Sequence, residues 1–199
     1  MNKLAAMNTP IFWAEGHPGA LERESWQLEV TGLCDKPTIF SWQDLQDMSA
    51  DTVDARLTSV TRWSVFGTWT GIRIHRLLKQ VIMQRDCRYL RFWSVGGIYD
   101  TSIPIAEAIK EKSLIAWAFD GELLNEDYGG PIRALIPYLW GYKSAKSLIK
   151  IELMDHYVPG FWEMRGYTDS GEIEAGVCRD INDNGTLKRI PNGEVTEFI

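Results

Sequence analysis

Short strand-like segments, separated by only a few short helices, are the feature that most restricts the fold of this chain. Apolar and polar residues alternate in residues 26–31 (WQLEVT) and 89–94 (YLRFWS), which predicts strands with one buried face. Residues 114–119 (LIAWAF) are continuously apolar and predict a fully buried strand. Because these strands do not alternate regularly with long helices, the pattern favours an α+β fold over a parallel βαβ repeat.

The remaining segments complete this outline. Residues 74–83 carry apolar side chains at helical spacing and predict an amphipathic helix. Ser41 and Asp44 have the spacing of a helix N-cap and its reciprocal partner, which predicts a short helix there, and a second short helix is predicted at residues 104–110. Further strands are predicted at residues 57–63, 134–138 and 148–154, and a turn at residues 183–185 predicts a late hairpin.

Length, charge and cysteine content exclude several classes of protein. The chain has 199 residues without a repeat or an evident linker, so we predict a single domain over residues 1–199. A formal net charge of −6 argues against nucleic-acid binding, which depends on basic patches. The 3 cysteines are far apart, and neither an export signal nor an apolar run of membrane length is visible. We therefore expect reduced thiols, no membrane span and a cytoplasmic location.

The densest group of residues suited to ligand binding lies in residues 129–146, GGPIRALIPYLWGYKSAK. Arg133 follows two glycines and offers a planar fork of donors that can hold an anion bidentately. Ser144, Ala145 and Lys146 follow in a loop that can offer backbone N–H groups, a hydroxyl and an ammonium to one phosphate. The structural alternative is a surface turn with solvated lysines.

A second candidate group lies in residues 57–71, LTSVTRWSVFGTWTG. Ser59 and Arg62 can place a hydroxyl and a guanidinium at the mouth of a cavity. No GxSxG motif surrounds Ser59, which argues against a hydrolase nucleophile. An ordinary hydrogen-bonded serine and a salt bridge of Arg62 at the rim of a cleft are the structural alternatives.

Together these segments resemble the sulfite oxidase family of molybdopterin-dependent oxidoreductases, including its bacterial methionine-sulfoxide reductase branch. The ordered match covers residues 26–167 and is most specific in GGPIR followed by GYKSAKSL. The resemblance implies a mixed α+β fold, one molybdopterin, oxygen-atom transfer at molybdenum and a separate redox partner protein. It also implies that Arg133 and Lys146 hold the terminal phosphate, with backbone contacts from Ser144 and Ala145.

The resemblance gives roles to further positions and shows two departures. Ser94 aligns with a small hydroxyl residue near the pterin, and residues 12–14 are expected to add a contact. Tyr128 stands where relatives tend to carry His or Asn as a pterin contact.

Ser59 stands where relatives carry the cysteine thiolate that is the single protein ligand of molybdenum. Since a hydroxyl is a harder donor than a thiolate, metal ligation at Ser59 is expected to be altered or lost. Arg62, beside this position, would attract an anionic substrate.

The residues leave two functions open. In the first, the chain is a molybdopterin-binding oxidoreductase whose redox chemistry is altered or lost at Ser59, which makes it a pseudoenzyme candidate. In the second, a cofactor-free binding or structural module reuses the fold, and its basic pocket binds another small anion. An open basic cleft would favour the first function. Aromatic side chains packed through the pterin volume would favour the second.

Overall fold

The computed structural model describes residues 2–199, which form twelve β-strands and four short α-helices. The strands are β1 Gln27–Gly32, β2 Thr38–Ser41, β3 Asp51–Ser59, β4 Trp63–Arg73, β5 Tyr89–Ser94, β6 Asp100–Pro104, β7 Leu114–Phe119, β8 Glu122–Leu123, β9 Arg133–Leu135, β10 Leu148–Met154, β11 Gly176–Asp180 and β12 Thr186–Ile190. The helices are α1 Lys3–Ala6, α2 Trp42–Asp47, α3 Ile74–Val81 and α4 Ile105–Ala108. One-turn 3-10 helices lie at Glu126–Tyr128, Gly141–Lys143, Glu163–Arg165 and Ile181–Asp183. Among these residues, no helix has the length and apolar character needed to cross a bilayer.

The strands form two mixed sheets. The first has the order β2-β1-β10-β5-β6, and its parallel pair is β1 with β10, where Glu29 lies opposite Lys150. The second has the order β12-β11-β4-β7-β8, with β3 paired to β4 and β9 paired to β7. Its parallel pair is β11 with β4, where Arg179 lies opposite Trp63. Because mixed sheets are combined with short helices, the predicted α+β class is confirmed.

The largest apolar core joins both sheets through helix α3. The helix buries one face made of four side chains, namely Ile74, Leu77, Leu78 and Val81. These pack in one cluster with Leu28 and Ile151 from the first sheet and Ile115 from the second. Burial of such side chains removes apolar surface from water and is the main term that stabilises the fold. The predicted amphipathic helix is therefore confirmed, although it ends at Val81 and not at residue 83.

The capping box predicted for α2 is present. The Ser41 hydroxyl accepts the Asp44 N–H at 3.1 Å, and the Asp44 carboxylate accepts the Ser41 N–H at 2.8 Å. Each side chain thereby satisfies a backbone donor that has no partner inside the helix. The late hairpin is also confirmed, since β11 and β12 pair antiparallel around a turn in which Asn184 has a φ of 50°.

The prediction of one strand over residues 57–63 was wrong. Strand β3 ends at Ser59 and β4 begins at Trp63, and the two pair antiparallel as a hairpin. The chain reverses between them because the Arg62 N–H donates to the Ser59 carbonyl at 2.8 Å. Arg62 has a φ of 65°, a conformation that residues other than glycine rarely adopt. The apolar and β-branched residues around this turn concealed it in the sequence.

The prediction of one strand over residues 134–138 was also wrong in its extent. Strand β9 covers only Arg133–Leu135, where it pairs with β7. Pro137 has no backbone N–H to donate to a neighbouring strand, so the ladder cannot continue through it. The chain turns away from the sheet after β9 and leads into the loop that carries residues 141–146.

Candidate functional site

Residues from distant parts of the chain enclose a cleft with a volume of about 310 Å³. Small-molecule sites commonly occupy roughly 300–1,000 Å³, so the cleft has the size of a ligand site. Its wall contains six of the eight predicted site residues, namely Ser59, Ser94, Tyr128, Arg133, Ser144 and Lys146. The other two, Arg62 and Ala145, do not belong to the wall.

Arg133 is the first residue of β9 and is only 3% exposed. Its guanidinium donates hydrogen bonds to the backbone carbonyls of Tyr128 at 2.8 Å, Ser144 at 3.2 Å and Ala134 at 3.3 Å. Burial lowers the pKa of Arg133 to about 10, so the side chain stays protonated at neutral pH. The strand thus holds a buried positive charge against carbonyl dipoles and the face of the Trp69 ring, whose centre lies 5.7 Å from the guanidinium carbon.

Lys146 brings a second cation to the same cleft. Its ammonium donates to the carbonyls of Phe12 at 2.9 Å and Asp127 at 3.0 Å, and it lies 4.7 Å from the centre of the Trp13 ring. Burial, followed by the positive charge of Arg133, lowers the pKa of Lys146 from 10.5 to about 7. The ammonium therefore changes its charge near neutral pH.

Gly129 provides the space through which the Lys146 side chain passes. A Cβ added at Gly129 would lie 2.8 Å from the Lys146 Cγ and 2.9 Å from its Cβ. Gly129 also has a φ of 91°, which glycine adopts without steric cost. Gly129, which directly precedes the cis Gly130–Pro131 unit, therefore allows the Lys146 side chain to reach the cleft.

Among the described residues, the two cations of this wall lack a close counter-charge, although the carboxylates of Glu15, which also lines the cleft, and Asp127 attract Lys146 over a longer distance. Within residues 2–199, no ion pair involves Arg133 or Lys146. Buried charges are normally paired, because an isolated charge loses its hydration without compensation. A wall with two such cations is suited to an anion, and charge-assisted hydrogen bonds to a phosphate would be stronger than those to the carbonyls.

Further polar atoms of the cleft wall are available to a ligand. The Ser94 Oγ, the Thr9 Oγ1 and the Trp13 Nε1 are buried and have no hydrogen-bond partner within residues 2–199. Buried polar groups are nearly always hydrogen-bonded in folded proteins. Three such groups beside the cations Arg133 and Lys146 fit a ligand that carries both an anionic group and several polar atoms.

Ser144, Ala145 and Tyr128 support the loop that carries the cations. The Ser144 hydroxyl accepts the Ile136 N–H at 2.9 Å, and the Ala145 carbonyl accepts the Ala134 N–H at 2.9 Å. The Tyr128 hydroxyl donates to the Thr9 carbonyl at 3.2 Å. Ala145 is buried in the apolar core, so its side chain does not reach the cleft.

Ser59 lies at the end of β3 and lines the cleft, where its hydroxyl is bonded within its own turn. The Ser59 Oγ lies 2.8 Å from the Thr61 Oγ1 and accepts the Thr61 N–H at 3.2 Å. Within residues 2–199, no group of three or more His, Cys, Asp or Glu side chains is placed to hold a metal ion. The free cysteines Cys34, Cys87 and Cys178 are buried, and none of them lines the cleft.

An aromatic wall formed by Tyr142, Trp162 and Tyr167 is the part of the cleft that sequence reasoning missed. Trp162 stacks on Tyr167 with ring centres 4.8 Å apart, and Tyr142 meets Tyr167 edge-on at 5.1 Å. Phe12 packs on Trp162 at 6.0 Å and brings the amino-terminal segment across the cleft. The 9 tryptophans of the sequence are a signal of aromatic surface, but they do not indicate which rings meet.

Comparison with known proteins identifies the family of this chain. Residues 15–162 match the family described as the oxidoreductase molybdopterin binding domain. The chain belongs to this family of molybdopterin-binding oxidoreductases.

Two relatives and one solved structure define the similarity further. The uncharacterized oxidoreductase YuiH of Bacillus subtilis is 29% identical over 172 residues, which cover 86% of each chain. The protein-methionine-sulfoxide reductase catalytic subunit MsrP of Ralstonia nicotianae is 28% identical over 170 residues, which cover 78% of this chain and 51% of MsrP. The chain thus spans about half the length of that relative. The sulfane dehydrogenase SoxCD of Paracoccus pantotrophus superposes with a TM-score of 0.66 at 16% identity, over 90% of this chain and 46% of that one. The last similarity confirms the predicted sulfite-oxidase-like fold.

Proposed function

We propose that this protein binds one molybdopterin in the cleft, with the terminal phosphate at Arg133 and Lys146, and that metal ligation at Ser59 is altered or lost. The observation that carries the proposal is the pair of cations on one wall of an open cleft, the buried Arg133 and the half-buried Lys146, neither of them in an ion pair within residues 2–199. A phosphate there would replace carbonyl partners by charged ones and would relieve the unpaired charge.

The unpartnered polar atoms support the same ligand. A pterin ring carries several hydrogen-bond donors and acceptors, and the hydroxyls of Ser94 and Thr9 and the indole N–H of Trp13 lack partners in the described chain. The aromatic wall formed by Tyr142, Trp162 and Tyr167 offers flat apolar surface in the same cleft. This wall lines the cleft and leaves its volume open, which favours the pterin-binding function over the cofactor-free module.

The cofactor, when bound, would supply a molybdenum centre capable of oxygen-atom transfer, and Ser59 is the residue that would face it. The hydroxyl at this position is a hard, weakly acidic donor, whereas molybdenum held by a dithiolene is well matched by soft thiolate. In our proposal the residues of this chain bind and orient the cofactor, and electrons pass to or from a separate redox partner. The name of MsrP suggests a sulfoxide as the substrate class.

Cofactor analysis of the purified protein tests the proposal. The chain would be produced in a molybdenum-sufficient host, its metals measured by mass spectrometry, and its pterin measured by fluorescence after oxidative release. We expect close to one pterin per chain and less than one molybdenum per pterin. Absence of both pterin and metal would contradict the proposal. Sulfate binding without any pterin would instead support the module that binds another small anion.

A further inference from the structure

The side chain of Arg62 extends away from the cleft although Arg62 is only three residues from Ser59. Its Nη1 donates to the Glu174 carbonyl at 2.8 Å, and its guanidinium carbon lies 4.9 Å from the centre of the Trp140 ring. Arginine stacks well on aromatic faces while its edge donates hydrogen bonds. The guanidinium is therefore engaged by Glu174 and Trp140, neither of which lines the cleft.

Gly176 leaves the space that this guanidinium occupies. A Cβ added at Gly176 would lie 2.9 Å from the Arg62 Nη1 and 3.4 Å from its guanidinium carbon. Close by, the Arg179 N–H donates to the Arg62 carbonyl at 3.0 Å. The backbone of Arg62 thus attaches the β3–β4 turn to strand β11, and its side chain attaches the turn to Glu174, just before that strand, and to Trp140.

The turn that Arg62 closes also fixes Ser59. Arg62 has a φ of 65°, and its N–H donates to the Ser59 carbonyl at 2.8 Å. Within the same turn the Thr61 N–H donates to the Ser59 hydroxyl at 3.2 Å. A residue other than glycine holds such a φ only where its surroundings determine the conformation. The contacts with Glu174 and Trp140 are the surroundings that do so here.

We propose that Arg62 is a positioning residue that fixes the β3–β4 turn and thereby the place of Ser59 in the cleft, and that it is not a cation that receives an anionic substrate. The inference rests on the proposed function only in treating Ser59 as the residue that faces the cofactor. The attachment of the turn to β11 does not depend on a bound cofactor, so the two proposals can fail separately.

Amide hydrogen exchange of the turn tests this role. Arg62→Gly keeps the backbone conformation accessible, because glycine adopts positive φ freely, and removes only the side-chain anchor. We expect the amides of residues 61 and 62 to exchange at least tenfold faster in this variant. Gly176→Ala should have the same effect by occupying the space of the guanidinium. Gly185→Ala is the matched control, since Gly185 also has a positive φ but nothing lies within 4 Å of an added Cβ.

Anion binding separates positioning from ligand binding. Sulfate binding, followed by tryptophan fluorescence, should be the same in Arg62→Gly as in the unmodified protein. Unchanged exchange of residue 61 in Arg62→Gly would overturn the proposal, because the side chain would then not hold the turn. Weakened sulfate binding with a protected turn would overturn it as well, because Arg62 would then act as a ligand-binding cation. If Arg62→Gly does not fold, Gly176→Ala provides both readouts.

Discussion

Lys143 and Lys146 lie in the same loop, but their charges are compensated in different ways. The Lys143 ammonium is fully buried, forms an ion pair with Glu163 and donates to the Ser102 carbonyl at 3.0 Å. The Lys146 ammonium has only carbonyl partners and a tryptophan ring, and it lines the cleft. The charge of Lys143 is therefore neutralised within the fold, whereas the charge of Lys146 is available to a ligand.

Replacing Lys146 by Met should weaken anion binding without destabilising the fold. Loss of one charge-assisted hydrogen bond of about 1.5–3 kcal/mol corresponds to a roughly 10- to 100-fold lower affinity. Since the ammonium is desolvated and repelled by Arg133, its removal should leave the ligand-free protein equally or more stable. Sulfate titration and thermal unfolding measure the two effects. Lys79→Met, on the exposed face of α3, is the control and should change neither.

The opposite result would identify Lys146 as a structural residue. If Lys146→Met binds sulfate and pterin as the unmodified protein does, the anion site is not at this ammonium. If the variant loses stability and binding together, the carbonyl contacts of Lys146 hold the fold, and the loss of binding is secondary.

Anion affinity should fall as the pH rises through about 7, because Lys146 has a pKa of about 7 and must be protonated to attract an anion. Sulfate keeps a constant charge over this range, so its titration reports the protein alone. The fall in affinity above pH 7 should disappear in Lys146→Met. A pH dependence that persists in this variant would have to arise from another group.

The same pKa shift makes a prediction about the stability of the ligand-free protein. Between pH 7 and 10.5 the unfolded chain binds a proton at Lys146 that the folded chain does not, so the free energy of unfolding rises with pH there. The cost of burying the charged lysine is fully present below pH 7. The free energies of unfolding of the unmodified protein and of Lys146→Met, measured with denaturant at a series of pH values, should therefore differ by less as the pH rises.

Periodicity predicted the parts of the fold whose environment follows from local sequence. Strands β5, β7 and β10 form over the predicted residues, because their alternating or continuous apolar pattern matches burial on one face or on both. The turn at residues 60–62 was not predictable in this way. It follows from contacts of Arg62 with Glu174, 112 residues further along the chain, and with Trp140.

The residue types of the candidate site were predictable from the sequence, but which of these side chains face the cleft was not. Arg133 and Lys146 were identified because their residue types suit phosphate, and the structure brings both to one cleft. In the sequence alone, Lys143 has the same chemistry as Lys146, and only its contact with Glu163 removes it from the site. The aromatic wall likewise depends on which rings meet in three dimensions, since nothing local brings Tyr142 to Tyr167, which stacks on Trp162.

Glu163→Gln should destabilise the protein strongly. The carboxylate pairs with Lys143 and accepts the Thr101 hydroxyl at 2.6 Å in a fully buried position. Removing one partner leaves a buried cation uncompensated, which costs about 3–5 kcal/mol. The double variant Lys143→Met with Glu163→Leu removes both charges and should cost less than the single change. Chemical denaturation measures both, and a double variant less stable than Glu163→Gln would contradict this account.

Ser59→Cys should raise the molybdenum content of the protein to about one per pterin. The new thiol would stand at the cleft position of Ser59, where the Thr61 N–H and hydroxyl can stabilise a thiolate, and soft thiolate suits this metal better than a hydroxyl.

The native cysteines are buried away from the cleft and do not compete for the metal. Ser94→Cys places a thiol elsewhere in the same cleft and should bring no such gain. Metal and pterin analysis of both variants, with an oxygen-atom transfer assay, provides the measurement. If Ser59→Cys retains pterin but gains neither metal nor activity, residue 59 is not what limits metal binding, and the wall around it must differ from that of active relatives.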